Sequence, residues 1–289
     1  MSVGTVAHRI ADELASLPKN EDITKAYCTR LGGVLNVDGV YVKIKGLPKA
    51  IPFIYGIDFE THDIPAGILA LAENEAAFER LFLMLKRIGY PLRLVVADEA
   101  PALKGPLLQA FPKAEVQLCQ VHLMRNVRTM LHLSLRDATH LPFFRALQKL
   151  FALSGEAARQ SCLQELRAYE RVELYGDALR MATDRWDDLF RHEGMWKQGF
   201  RCPKTNNLIE GYNAHFKARV DAIKGFESLS SASRWLNGWM LKRRFTPFHE
   251  CGKPFKHLNG HASFEKSRDS RLPWPEIFGL SPPEKPTRK

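Results

Sequence analysis

The fold of this chain is decided by one stretch of sequence, VLNVDGVYVKIKG at residues 34–46. Every second residue from Val40 to Ile44 is apolar, and the residues between them are Tyr or Lys, which is the alternation of a strand with one buried face. Asp38 belongs to the apolar row. Burying a charge on such a face costs several kcal/mol unless something compensates it, and a bound cation is one such compensator. The alternative is an acid at the water-exposed edge of a strand.

The elements that follow this strand are predicted in a definite order. They are strands at 51–59 and 64–72, a helix at 75–88, a strand at 92–98, a helix at 101–111 and a strand at 115–121. Three strands with short connections favour an antiparallel meander, and strands separated by helices favour parallel pairing through right-handed crossovers. This order is that of a ribonuclease H-like α/β core, with a mixed sheet of three antiparallel strands continued by two parallel ones.

The rest of the chain is predicted to be mostly helical. Residues 33–122 form the first part of the core, 123–200 an all-helical insertion, and 201–245 two further helices. Residues 246–289 are rich in Pro, His and Lys and are expected to be irregular, with a disordered end. A short amphipathic helix within residues 1–30 is marginal by itself, so we interpret this segment as the last part of a domain whose beginning is absent.

Composition limits the function classes. A net charge of +10, from 42 Lys and Arg against 32 Asp and Glu, favours a polyanionic partner, nucleic acid before membrane, although a protein basic for solubility alone is the alternative. The five cysteines are scattered without a CxxC pair, which argues against a disulfide framework and favours a reducing cytoplasm. The sequence contains neither a membrane-spanning apolar run nor a signal-peptide pattern, so we expect no membrane partner.

Two further acids stand at positions where ligands are often bound. Asp98 ends the apolar run LRLVVA, at the carboxyl end of a predicted parallel strand, and the alternative is a turn residue leading into a helix. Glu210 lies one turn into a helix that Thr205 or Asn206 caps, and the alternative is a solvated helix residue.

Together with Asp38, these acids suggest one chemistry. Hard cations such as Mg²⁺ or Mn²⁺ take oxygen ligands, and two strand carboxylates with one helix carboxylate could hold two ions that activate an attacking and a leaving oxygen. No P-loop, GxSxG or Rossmann glycine pattern offers another chemistry. We therefore predict that Asp38, Asp98 and Glu210 converge in space.

Three local matches carry a family resemblance: VDGVYVKIKG, VVADEAPALKGPLLQAFPKAEVQLCQVH and TNNLIEGYNAHFKAR. With them, residues 33–245 resemble the DDE transposases of the Mutator-like group and their prokaryotic insertion-sequence relatives. The second match also contains Cys119 and His122, similar to the Cys-x-x-His signature that these enzymes place after the second acid. A buried strand Cys and a junction His explain these two residues equally well.

The resemblance implies a DNA transposase. It implies metal-dependent strand cleavage at transposon ends, attack of the freed 3′ hydroxyl on target DNA, self-association in a synaptic complex, and a cytoplasmic, nucleoid-associated prokaryotic protein. Asp38, Asp98 and Glu210 inherit the role of ligands to Mg²⁺ or Mn²⁺, and residues 1–30 correspond to the end of a helix-turn-helix region. Two rival hypotheses stay open: a decayed or truncated DNA-binding derivative, and a structure-selective nuclease of the same fold.

Basic side chains near these acids are candidate DNA contacts. They are Arg125, Arg128, Lys217, Arg234, Lys242, Arg243 and Arg244. A solvated helix face explains Arg125 and Arg128 equally well. Trp235 and Trp239, spaced four apart among these cations, are predicted to be core residues rather than platforms for bases.

Overall fold

The predicted strand at 34–46 is present over 34–42 in the computed structural model, which describes residues 3–98, 101–133, 139–249, 251–277 and 280. The strands are β1 Val34–Val42, β2 Ile51–Asp58, β3 Gly67–Leu69, β4 Leu94–Ala97 and β5 Glu115–Leu118. They form one mixed sheet in the order β3-β2-β1-β4-β5. The predicted α/β class and the antiparallel meander are confirmed: β1 pairs with β2, where Asp38 lies opposite Tyr55, and β2 pairs with β3, where Tyr55 lies opposite Gly67.

The helices of the described residues follow the predicted element order, except that residues 1–30 form two helices instead of one and residues 246–289 include a short helix. They are α1 Val3–Ser16, α2 Asn20–Tyr27, α3 Glu75–Arg87, α4 Pro101–Ala110, α5 Gln120–Met130, α6 Leu141–Ala152, α7 Glu156–Arg167, α8 Gly176–Thr183, α9 Trp186–Lys197, α10 Asn207–Val220, α11 Leu229–Phe245 and α12 Ser263–Ser267. Each of them is too short or too polar to traverse a lipid bilayer. The start of α11 is fixed by a capping box between Ser228 and Ser231.

The predicted all-helical insertion contains two helical stretches, 156–175 and 177–192, and each of them is interrupted. The first ends at Arg167, and Arg171 then adopts a left-handed conformation with φ 56° before a short 3-10 helix begins. The second is divided between α8 and α9. Aromatic packing accompanies the first break, where Tyr175 stacks on Phe143 with 3.8 Å between ring centroids.

The chain divides into two compact units. The first comprises Met1–Val95, Pro101–Ala114 and Asn207–Lys289, and the second comprises Val96–Ala100 and Glu115–Asn206. One core of the first unit lies between the meander and helices α10 and α11. It contains Val40, Val42, Phe53, Tyr55, Ile209, Phe216, Leu236 and Met240. The predicted core role of Trp239 is confirmed, since its ring packs against those of Phe53, Tyr55 and Phe216.

The prediction that Arg244 contacts DNA is wrong. Its side chain is fully buried and donates from Nε and Nη2 to the two carboxylate oxygens of Asp63, each at 2.8 Å. Its Nη1 donates to Asn20 Oδ1 at 2.8 Å and to Thr24 Oγ1 at 3.0 Å. The position follows Leu236 and Met240 at spacings of eight and four on α11, so it lies on the buried stripe of that helix.

A second core of the first unit surrounds this ion pair. Phe245 and Phe264 stack with ring centroids 4.4 Å apart, and Ile23 and Ile277 are buried beside them. Up to Ile277, the segment predicted as an irregular tail has little regular secondary structure, yet it contributes Phe264 and Ile277 to this core. The end of this segment, which is predicted to be disordered, lies outside the described residues.

The second unit has its own core, built by β5 and helices α5 to α9. Gln117 is buried on β5 and donates from Nε2 to the carbonyl oxygen of Leu189 at 2.9 Å. Its Oε1 accepts the backbone N–H of His192 at 2.8 Å. Arg159 forms an ion pair with Glu193, and its guanidinium lies 4.2 Å from the ring centroid of Phe190. Polar groups therefore connect α9 both to β5 and to α7.

Candidate functional site

Asp38 is held by donors on two elements of the first unit. It is the fifth residue of β1 and is half-buried, while its row neighbours Val40 and Val42 are buried. The backbone N–H of Gly39 donates to Oδ1 at 2.8 Å, and Nδ2 of Asn213 donates to Oδ2 at 2.5 Å. The carboxylate is thereby fixed in orientation by a strand and by α10.

Tyr55 determines how Asn213 presents its amide. The Tyr55 hydroxyl donates to Asn213 Oδ1 at 2.6 Å, which directs Nδ2 towards Asp38. Burial, followed by the charge of Asp38, raises the pKa of Tyr55 well above its ordinary value, so the phenol keeps its proton. Sequence reasoning missed both roles, although the three-residue spacing of Glu210 and Asn213 places them on one helix face.

Glu210 lies in the first turn of α10 and is half-buried. The helix is anchored by the buried side chains of Ile209, Tyr212 and Phe216. A carboxylate in the first turn also interacts favourably with the helix dipole. The helix that supplies the Asn213 amide to Asp38 is therefore the helix that carries the third predicted acid.

Asp98, Cys119 and His122 come together in the second unit. Asp98 directly follows β4, Cys119 directly follows β5, and the Cys119 N–H donates to the carbonyl oxygen of Ala97 at 2.9 Å. His122 Nδ1 lies 2.7 Å from Asp98 Oδ1 and 3.2 Å from Cys119 Sγ. His122 Nδ1 has the alignment of a hydrogen bond with Cys119 Sγ. Its shorter contact with Asp98 Oδ1 is polar but lacks hydrogen-bond alignment.

The contact between Arg125 and His122 indicates which ring nitrogen of His122 carries the proton. Its Nη1 lies 3.1 Å from His122 Nε2, and because a guanidinium can only donate, Nε2 accepts. A neutral ring then carries its proton on Nδ1, the nitrogen that faces Asp98 and Cys119. This arrangement places an N–H donor beside the second predicted acid.

Cys119 is buried and accepts the backbone N–H of Asn206 at Sγ, at 3.2 Å. Burial raises the pKa of the Cys119 thiol above its ordinary value, which makes it a poor nucleophile. Cys119 therefore lies beside Asp98 as an uncharged thiol.

The donor groups fall into two chemical sets. Asp38, Asp98 and Glu210 offer carboxylate oxygens, which are the ligands that Mg²⁺ and Mn²⁺ prefer. Asp98, Cys119 and His122 each offer one atom within 4.8 Å of the others, and sulfur with imidazole suits softer cations. The carboxylates therefore fit the predicted Mg²⁺ or Mn²⁺, and Cys119 and His122 do not. The convergence of all three acids stays a prediction.

The remaining basic candidates differ in exposure. Arg125, Arg128, Lys217 and Lys242 are exposed, and Arg234 is half-buried. Arg243 is also half-buried, with its guanidinium 4.7 Å from the ring centroid of Tyr212 and 4.4 Å from that of Phe248. Four of the predicted contacts are thus exposed to solvent.

Comparison with known proteins gives a family match and several relatives. The family model described as Transposase, Mutator family, matches residues 20–243. The transposase for insertion sequence element IS256 in transposon Tn4001 of Staphylococcus aureus is 24% identical over 214 residues, which cover 72% of this chain and 54% of that protein. The transposase for insertion sequence element IS1201 of Lactobacillus helveticus is 23% identical over 239 residues, covering 81% and 62%.

These relatives are longer than the chain. It spans about half of the IS256 protein and about three fifths of the IS1201 protein. Among solved structures, the Drosophila P element transposase strand transfer complex is similar with a TM-score of 0.33 and 9% identity, covering 92% of this chain and 83% of that one.

Proposed function

Because the chain belongs to the Mutator family of transposases, we propose that it is the catalytic part of a DNA transposase that cleaves transposon ends and joins them to target DNA. The observation that carries the proposal is the setting of Asp38, a half-buried carboxylate on a strand with a buried apolar row, fixed by Gly39 and by Asn213. A carboxylate that binds a metal ion is oriented by neighbouring hydrogen bonds, whereas a solvated surface carboxylate needs no such orientation.

The proposed architecture is a ribonuclease H-like core interrupted by an all-helical insertion at 123–200. Residues 33–122 supply two of the acids and residues 201–245 supply the third. Residues 1–30 belong to a DNA-binding region, and 246–289 to a C-terminal extension. Five strands in the order β3-β2-β1-β4-β5, with an antiparallel meander at one side, support this assignment.

Asp38, Asp98 and Glu210 are the residues that would hold divalent ions. Bound Mg²⁺ or Mn²⁺, two ions in the proposed enzyme, supplies activation of the attacking oxygen and stabilisation of the leaving oxygen. Gly39 and Asn213 keep the Asp38 oxygens aligned, and Nδ1 of His122 lies 2.7 Å from Oδ1 of Asp98. These donors lower the cost of holding several carboxylates close together.

Exposed cations supply the affinity for DNA in this proposal. Arg125, Arg128, Lys217 and Lys242 contact phosphates of the transposon end or of the target, and binding weakens steeply with salt because counterions are released. The active species is a complex of more than one copy that holds two ends in the cytoplasm of a prokaryote.

Strand cleavage with isosteric variants tests this function. The substrate is labelled DNA carrying the sequences that flank the gene, incubated with Mg²⁺, with Mn²⁺ or with chelator. Wild type is expected to cut it with either metal and to join the 3′ ends to a second duplex, and Asp38→Asn, Asp98→Asn and Glu210→Gln are each expected to abolish both steps while DNA affinity is kept.

The matched control is Asp221→Asn, which removes an exposed carboxylate just beyond the end of α10 and should leave cleavage unchanged. Cleavage without joining would assign a nuclease instead of a transposase. Cleavage that survives in the Asp38→Asn protein would reject the metal role of these acids.

A further inference from the structure

A groove of about 450 Å³ lies in the second unit beside α5 and α6. Its floor is apolar and is formed by half-buried Val121 and Met124 on α5 together with the buried rings of Phe144 and Phe151 on α6. This volume is in the size range of sites that hold small organic ligands. The groove is therefore large enough for one nucleotide.

The rim of the groove is positively charged. Arg125 and Arg128 border it from α5, and Lys204 borders it from the segment before α10. None of the described residues that line it is acidic. The backbone N–H of Gln120 donates to the carbonyl oxygen of Lys204 at 3.1 Å, which fixes Lys204 against the start of α5. The lining thus combines an apolar floor with three cations on its border.

We propose that this groove binds an unpaired nucleotide of the DNA substrate, with its base on the apolar floor and the adjacent phosphates against Arg128 and Lys204. The inference rests on the proposed function in taking DNA as the ligand. A base inside a duplex is stacked and cannot reach such a floor, whereas an unpaired base exposes its whole apolar face. Since every base has such a face, the site tolerates any sequence.

Two features of the groove favour a nucleotide over an apolar protein segment. Arg128 and Lys204 on the border complement the phosphates of a nucleotide, whereas an apolar helix would offer these two cations no counter-charge. The exposed amide of Gln148 stands on the α6 wall, where it can donate to and accept from the edge of a base.

Binding of two matched DNAs by the full chain tests the proposal. One is a blunt duplex, and the other is the same duplex with a three-nucleotide single-stranded extension that contains 2-aminopurine. Fluorescence anisotropy is expected to show about tenfold tighter binding of the extended DNA, and the 2-aminopurine emission is expected to change when the base enters the groove.

Met124→Gln makes the floor polar and is expected to remove this preference while blunt-duplex affinity is kept. Arg128→Gln is expected to weaken binding of the extended DNA more than that of the blunt DNA. Arg145→Gln, an exposed cation on α6 outside the lining, is the control and should change neither. A melting curve for each variant establishes that it is folded.

Equal affinity for the two DNAs, or a preference that survives in Met124→Gln, would overturn the inference. A wild-type dimer in sedimentation that Met124→Gln dissociates would also overturn it and would assign the groove to a second copy of the chain. Because these binding measurements need no cleavage, a negative result for the groove would not contradict the proposed transposase chemistry. Absence of any DNA binding would instead reject the proposed function.

Discussion

Replacing Arg244 with Met is expected to lower the free energy of unfolding by about 3–5 kcal/mol, the cost of breaking a fully buried ion pair. Met fills most of the aliphatic space but removes the donors to Asp63, Asn20 and Thr24. Burial opposes the ionisation of Asp63, yet the charge and hydrogen bonds of Arg244 hold the pKa of Asp63 below its ordinary value. In the variant that carboxyl has no counter-charge, and it must take up a proton or unfold.

Urea unfolding at pH 7, followed by circular dichroism, measures the effect. Lys242→Met, on the same turn of α11 but exposed, is the control and should change stability by no more than about 0.5 kcal/mol. If Arg244→Met lowers the free energy of unfolding by less than about 1 kcal/mol and makes the salt dependence of DNA binding shallower, the buried role of Arg244 is refuted. That result would support a phosphate contact instead.

Three further outcomes are expected. Burial lowers the pKa of both His62 and His192 to about 4, so the unfolded chain binds protons that the folded chain does not. The free energy of unfolding should therefore fall from pH 6.5 towards pH 4 by up to about 1.4 kcal/mol per pH unit for each ring, and urea titrations that give a flat profile would contradict this. Asn213→Ala should reduce the cleavage rate at saturating DNA about tenfold or more, because Asp38 loses an orienting donor, and an unchanged rate would remove the amide from the mechanism. His122→Ala should reduce cleavage without a large drop in melting temperature, whereas a large drop with normal activity per folded molecule would reject its role at the site.

Much of the fold was predictable because each strand has a recognisable local sequence pattern. The alternation from Val40 to Ile44 shows one buried face, and the short connections of the next two strands allow little besides a meander. The break at Arg171 was not predictable, because no Gly or Pro marks its left-handed conformation. The break accompanies stacking of Tyr175 on Phe143, which is distant in sequence, so a local sequence pattern does not reveal it.

The candidate site shows the same division. The two strand acids could be found because each stands at a definite place in a strand pattern, but the partner of Asp38 is Asn213, 175 residues away. Arg244 was misjudged because it ends a run of three basic residues, a pattern typical of a solvated helix end. Its spacing of four and eight from Met240 and Leu236 carries the correct signal.

The most direct test of the central claim is whether Asp38 and Asp98 share the same divalent ions. Mn²⁺ binding, measured by electron paramagnetic resonance in the presence of DNA, is compared for wild type, Asp38→Asn, Asp98→Asn and the double variant. A shared site predicts that each single variant weakens Mn²⁺ binding about tenfold or more, and that the double variant is little worse than either. Fully additive effects, or Mn²⁺ affinity that is unchanged in Asp38→Asn, would contradict the claim that these acids form one metal centre.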